Sequence, residues 1–352
     1  MDSQHTHRKD EHLALAEALY RQKAPVSSLN GIRLIHRPLP ETTVDAVDLS
    51  WHDAHFNWDM PFYIEAMTGG TPRTNDINAQ LAHAAAETGL AMAVGSESIA
   101  IKDPSKQAGF EALRDINPNG FMMANIGAGN TLDAAKKAVE ILDANALEYH
   151  VNVAQELIMP EGDRQFKWLD DLADIRANLN VPVIVKEVGF GFDQTTLAEL
   201  AKMDINYVSL GGRGGTNFAQ IEDRRNRVNP NEHAYLADWG QTTAESLLEA
   251  QNVPTTLTTF ATGGIQTPLD VLKAQVLGAR TAGVAGHFLH ILMNNDVETL
   301  ITEIKLWQTH LAKLYALVGA QNYADLAKVD FVLDVELKNY AEQRQLLLPP
   351  RR

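Results

Sequence analysis

Short apolar, β-branched runs alternate with longer stretches of helical period from about residue 60 onward. The runs predict strands at Phe62–Met67, Ala91–Gly95, Phe121–Ile126, Ala146–Asn152, Pro182–Glu187, Tyr207–Gly211, Thr256–Ala261 and Thr281–Ala285. Between them apolar residues recur every three or four positions. Asn75–Glu87 brings Ile77, Leu81 and Ala84 near one face, and Leu132–Leu142 does the same for Leu132, Ala135, Val139 and Leu142. Thr195–Met203 and Leu269–Leu277 follow the same pattern. Eight strands, each followed by a helical stretch, predict an α/β fold with a parallel sheet, and eight is the number that closes into a (β/α)8 TIM barrel. An open doubly wound sheet is the alternative. Against it, no G-x-G-x-x-G follows the first strand, where a dinucleotide-binding fold carries it.

Two segments stand outside the alternation. Residues 1–55 hold a helix-like piece, Glu11–Arg21, and a polar loop, and are expected to flank or cap the barrel as part of one domain spanning 1–352. The connection after the sixth strand is the longest and includes Arg213–Asn231, with Arg213, Arg224, Arg225 and Arg227. A long βα connection on the catalytic face serves as a lid or binding loop, or else is a solvated excursion. Leu300–Val318 reads as a helix whose apolar face packs on the barrel or, with Leu346-Leu347-Leu348, on another copy in a homo-oligomer.

Composition narrows the partners. Of 352 residues, 45 are acidic and 30 basic, a net charge of −15. Such a surface repels nucleic acid and anionic lipid, so an anionic ligand needs a local basic cluster. No cysteine is present, which removes disulfides, thiolate nucleophiles and Cys-ligated metals. The polar first twenty residues lack the apolar core of a secretory signal. No run approaches the roughly 18 apolar residues of a membrane span, so a cytoplasmic location is expected.

In a barrel the chemistry sits where strands end, and every expected strand ends in glycine or polar residues. The series is Ala66-Met67-Thr68-Gly69-Gly70, Gly95-Ser96, Asn125-Ile126-Gly127, His150-Val151-Asn152 with Gln155-Glu156, Lys186-Glu187, Gly211 to Thr216, Thr262-Gly263-Gly264 and Ala285-Gly286. Any one has a plain structural explanation, since glycines relieve turns and a lone Asn caps a helix. Eight together point to a site. Glycine-rich turns after strands seven and eight, each before a helix, match the usual barrel phosphate site, and Gly214-Gly215-Thr216 adds a third wall. Alternation puts Pro182, Ile184 and Lys186 on one face of the fifth strand. An inward lysine requires an anion beside it, and an outward one snorkels to water. His150 and Asn152 share a face of the fourth strand, and with Gln155 and Glu156 they are a candidate Mg²⁺ site completed by a diphosphate. A lone strand histidine is otherwise a core residue.

Taken in order, these strand ends resemble type 2 isopentenyl-diphosphate isomerase, the FMN-dependent family. The resemblance also takes in Arg8-Lys9-Asp10-Glu11-His12 and Val185 to Gly189, and covers nearly the whole chain. It implies that Ala66, Met67, Thr68, Ser96, Asn125, Lys186 and Thr216 line the FMN ring and ribityl chain, and that Gly264, Ile265, Gln266, Ala285 and Gly286 hold its phosphate. It further implies that Arg8, Lys9, His150 and Asn152 grip the substrate diphosphate, Gln155 sits at the reacting carbons, and Glu156 helps hold Mg²⁺. The reaction so implied converts isopentenyl to dimethylallyl diphosphate. It is redox-neutral, yet needs reduced FMN, which NADPH can supply. Lys186 would then stabilise the anionic reduced ring, making both Lys186 and Gln155 catalytic. Two positions depart from the family's pattern: Gln266 stands where an Arg is frequent, and Glu65 is more acidic than expected beside Met67.

Two other functions share the barrel. An FMN-dependent hydroxy-acid oxidase or dehydrogenase needs a base histidine and a substrate-binding arginine late in the chain; His287 and His290 follow the eighth strand without a neighbouring Arg in sequence. A barrel that binds FMN without catalysis would tolerate changes at Gln155 and Glu156.

Overall fold

The computed structural model describes residues 2–22, 26–160, 162–253 and 257–347, with side chains from residue 8 onward. Eight parallel strands close into a barrel, which excludes the open sheet. In chain order they are β1 (Phe62–Ile64), β2 (Met92–Ala93), β3 (Met122–Gly127), β4 (Ala146–Val151), β5 (Val183–Glu187), β6 (Tyr207–Ser209), β7 (Thr258–Ala261) and β8 (Thr281–Val284). Most end earlier than the apolar pattern predicts. Residues 65–67 and 210–211 already belong to turns, and Gly211 has a left-handed φ of 49° that no strand tolerates. Thr256, the expected start of β7, lies outside the described residues.

Seven helices matter below: α1 (Asp2–Gln22), α2 (Pro72–Thr88), α3 (Leu132–Leu142), α4 (Phe218–Arg225), α5 (Pro268–Val276), α6 (Gly286–Asn294) and α7 (Val297–Val318). Thr71 and Thr267 begin α2 and α5 with reciprocal capping boxes and a proline in the first turn. α3 keeps its expected bounds and buries Ala135, Ala138, Ile141 and Leu142. α7 buries Leu300, Ile304, Trp307 and Leu311, packing on α2 and α5. That leaves the barrel, rather than another copy, as the partner of its apolar face. Among the described residues, no helix is long and apolar enough to cross a membrane.

The flanking segment is more than a cap. Ile32–Leu34 pairs antiparallel with Phe331–Leu333. A hairpin of Trp51–His52 and Asn57–Trp58 closes the N-terminal end of the barrel, where Trp51, Phe56 and Trp58 pack on Tyr63, Tyr207 and Phe260. Inward positions change character along the strands. Tyr63, Ala93, Met123, Ile184 and Phe260 join that aromatic plug. Two residues further on, the buried positions are Glu65, Asn125, Lys186 and Thr262, with Glu148 beside Asn125.

Candidate functional site

Above the polar layer lies a cavity of about 1640 Å³, at the C-terminal ends of the strands. Its walls come from the strand-end turns and its roof from α1. Helix α1 is fixed there by α4, so the long connection after β6 serves the site through Gly214, Gly215, Thr216 and α4, while residues 227–232 are solvent-exposed. Arg225 and Arg227 approach Glu11 at 3.3 and 3.1 Å, and Arg224 donates to Gln22 Oε1 at 3.0 Å. On the other flank Thr71 Oγ1 donates to Asp10 at 2.7 Å, and His290 Nδ1 lies 3.0 Å from Glu17 Oε1.

One wall is a glycine cradle. Gly264 has φ 78°, and a Cβ there would lie 2.7 Å from the Gly214 carbonyl oxygen. Only glycine lets these two turns meet. Ala285 and Gly286 complete the wall at the start of α6. Where Thr71 and Thr267 cap their helices through hydroxyls, Ala285 has none, and α6 has no side-chain cap. The first-turn N–H groups of α6 therefore face the cavity ready for an anion. Ile265, Gln266 and Thr216 line the same end.

The floor carries charge. Lys186 faces inward, as alternation predicts, and is 4% exposed. Its Nζ lies 3.0 Å from Glu65 Oε2, which also accepts from the Tyr63 hydroxyl at 2.8 Å. The acidic residue that departs from the family pattern is thus the anion an inward lysine requires. Burial opposes the lysine's charge, but Glu65 and Glu148 hold its pKa above the usual value. Asn125 Nδ2 donates to Glu148 at 2.8 Å, and its Oδ1 faces His150 Nδ1 at 2.8 Å. That orientation puts the ring proton on Nδ1. Burial, with the charges of Lys9 and Lys186, drops His150 to about 3, so it is a neutral hydrogen-bonding group. Ala66, Met67, Thr68 and Ser96 line the side between floor and roof.

The third region lies beneath α1. Arg8, Lys9, His150, Gln155 and Glu156 all border the cavity there. Arg8 Nη1 contacts Met159 Sδ at 3.2 Å. Lys9 Nζ donates to the Ser96 carbonyl at 3.0 Å, and burial beside Arg8 lowers its pKa to about 8. Asn152 departs from its expected place: it lies past the end of β4, accepts from the Gln155 N–H at 2.9 Å and donates to the Val188 carbonyl at 3.2 Å. Unlike His150, it is not on the cavity wall. Glu156 Oε2 accepts from the Asp163 N–H at 2.6 Å. Among the described residues, no group of three His, Cys, Asp or Glu could hold a metal ion, so a cation here needs most of its ligands from a bound substrate.

Glu222 of α4 is a residue the sequence pattern missed. It lies 2.8 Å from His12 Nε2, accepts from Gln155 Nε2 at 3.1 Å and contacts Arg225. Burial works against its ionisation, yet these partners hold its pKa at about 2. It is a fixed anion that orients Gln155. No signal in a charged, solvent-like stretch such as Gln220–Arg225 distinguishes it, because its partners arrive from α1 and from the short helix after β4.

Comparisons with known proteins give the chain's family and its barrel. Residues 106–332 match the family model of the FMN-dependent dehydrogenases. The isopentenyl-diphosphate delta-isomerase of Limosilactobacillus reuteri subsp. reuteri (strain JCM 1112) is 50% identical over 98% of this chain and 99% of its own. That of Latilactobacillus sakei subsp. sakei (strain 23K) is 47% identical over 97% of each chain. That of Streptomyces sp. (strain CL190) is 42% identical over 96% of this chain and 92% of its own. Among solved structures, a mandelate oxidase variant with benzaldehyde superposes with a TM-score of 0.63 over 92% of this chain and 91% of that one. At 15% identity, that likeness concerns the barrel alone.

Proposed function

This chain belongs to the isopentenyl-diphosphate delta-isomerase family on the FMN-dependent dehydrogenase barrel, and we propose from that premise how its cavity divides the work. The enzyme isomerises isopentenyl diphosphate to dimethylallyl diphosphate in isoprenoid biosynthesis. The observation that carries the assignment of parts is one cavity with two ends suited to anions, the glycine cradle with α6 and the basic cluster under α1.

The cradle fits FMN. Gly264 and the uncapped start of α6 suit its phosphate, Thr68, Ser96 and Asn125 offer hydrogen bonds to the polar edge, and Lys186 supplies a cation beneath. When bound and reduced, FMN supplies an acid–base group at the reacting carbons. NADPH is the proposed reductant that keeps it competent, and none is consumed per turnover because substrate and product are isomers.

The hydrocarbon tail offers no polar handle, so binding energy must come from the diphosphate. Arg8 and Lys9 provide the local positive charge that a chain of net charge −15 otherwise lacks. His150 contributes a neutral ring nitrogen. Glu156 is the carboxylate assigned to Mg²⁺; one carboxylate suffices when diphosphate oxygens and water complete the shell. Gln155, held by Glu222, is the side chain assigned to the isoprenyl carbons, beneath the α1 residues that line the cavity.

Anaerobic incubation of the protein with isopentenyl diphosphate, FMN, Mg²⁺ and NADPH tests this reading. Dimethylallyl diphosphate should form without stoichiometric loss of NADPH. FMN binding without product would leave a non-catalytic flavin barrel.

A further inference from the structure

The floor of the cavity contains more carboxyl groups than its one lysine can pair. Glu65 and Glu148 are 3% and 0% exposed, and Lys186 is the ammonium group on which both act. Glu65 is fully served: Lys186, the Tyr63 hydroxyl and the Ala66 N–H, at 2.6 Å, all point at it. Glu148 is not. Its Oε2 accepts from Asn125, whereas its Oε1 is buried and receives no donor among the described residues. The charged groups that act on Glu148 are Lys186 and the Glu65 carboxyl, the latter another acceptor that opposes its ionisation. Two buried acceptors face each other stably only with a proton between them.

We propose that Glu65 and Glu148 form a buried carboxyl pair that shares one proton and positions Lys186 and Asn125 beneath the cofactor. With Lys186 charged and one carboxylate ionised, the floor is neutral. Its consequences run two ways. The lysine stays cationic in a site that would otherwise strip its proton. Glu148, acting through Asn125, also fixes the proton of His150 on Nδ1. Burial first, and the Glu65 charge second, push Glu148 well above the ordinary carboxyl range, which agrees. The remaining titratable neighbours are Tyr63, which donates to Glu65, His150, which is neutral, and Glu187, on the same strand as Lys186. None offers a second cation.

The proposal rests on the FMN reading only for its meaning beneath the cofactor, and its first test uses cofactor-free protein. Infrared spectra at neutral pH, in light and heavy water, report carbonyl stretches of protonated carboxyls. Glu148→Gln should lose the intensity of one such group. Glu65→Gln should lose one as well, because Glu148 then ionises to pair with Lys186. The double variant should lose one, not two. Unchanged intensity in either single variant, or a loss of two in the double, would overturn the shared proton.

The second test reads dissociation constants of oxidised and reduced FMN. Each single variant should keep their ratio within about threefold of the parent, since one carboxylate still balances the lysine. The double variant should favour reduced FMN more than tenfold further, such non-additivity being the mark of coupled sites. A single variant with the full effect would overturn the pair. Failure of FMN to bind the parent protein would instead overturn the proposed function, and the infrared pattern would still decide the pair.

Discussion

The two halves of the barrel interior contrast sharply, though they occupy the same strands two residues apart. The lower half is an aromatic plug: Phe56 stacks on Trp51 and Phe121 at 4.6 and 5.2 Å, and meets Tyr207 edge-on at 4.7 Å. The upper half replaces it with Lys186, Glu65, Glu148 and Asn125. Tyr63 joins them, its ring packing near Trp58 and Phe260 and its hydroxyl donating to Glu65. The difference teaches where stability and chemistry are separated. Apolar packing below is insensitive to ligand and pH, and lets the upper half hold buried charges that would weaken the fold if they alone closed the barrel.

The sharpest break of that separation is Phe56→Ala. Truncating a fully buried aromatic ring costs about 3–5 kcal/mol, visible as a lower urea midpoint. FMN affinity and isomerase turnover in the folded protein should stay within about twofold. A parallel loss of FMN binding would show that plug and site are one unit.

Lys186→Met makes the converse change. Loss of a preorganised charge aimed at a developing anion costs on the order of 10²–10³ in turnover. The Glu65 carboxyl left behind can take up a proton, so thermal stability should fall less than in Phe56→Ala. The reverse ranking of the two stability losses would refute the division of labour.

Much of this contrast was legible in the sequence, but only half of each interaction was. The barrel followed from the alternation of strands and helices, and the inward direction of Lys186 from the parity of its strand, because both are local periodicities. Its partner was not readable, since β1 and β5 stand on opposite sides of a closed barrel and only closure brings Glu65 to Lys186. Glu148 hid for a related reason: on an apolar strand, a buried acid looks the same in sequence whether it is ionised or not. The capping role of Asn152 was hidden because strand parity runs one residue past the point where β4 ends. Helix α1 was foreseen as a flanking element; its place over the cavity depends on Glu11, Glu17 and Asp10 finding partners on three separate elements.

Acid should loosen the roof before it touches the plug. Glu222 has a folded pKa of about 2 against an ordinary value of 4.5. A depressed carboxylate contributes stability that is complete above its unfolded pKa and lost as pH falls from about 4.5 towards 2. The shift amounts to roughly 3 kcal/mol at most. Hydrogen exchange of α1 should therefore accelerate below pH 4.5 while strands β1 and β7 stay protected. In Glu222→Gln that pH response should flatten. An unchanged response would mean that α1 is held by Glu11 and Glu17 instead.

The smallest effect tests the cradle's chemistry. Gln266 lines the cavity beside Gly264, but its backbone N–H already donates to Asp270 Oδ2 at 3.1 Å. Only its side chain therefore remains to reach the phosphate that we propose the start of α6 holds. Gln266→Arg adds a cation at a half-buried edge, where a charged pair is worth up to about 1 kcal/mol, and Asp270 competes for it. FMN should bind about threefold to fivefold tighter, and the gain should shrink as salt rises, because such a pair is screened. Riboflavin, which has the ring but no phosphate, should bind the variant and the parent equally. Equal tightening of both ligands would place the new charge against the ring, and would move the phosphate away from the α6 cradle.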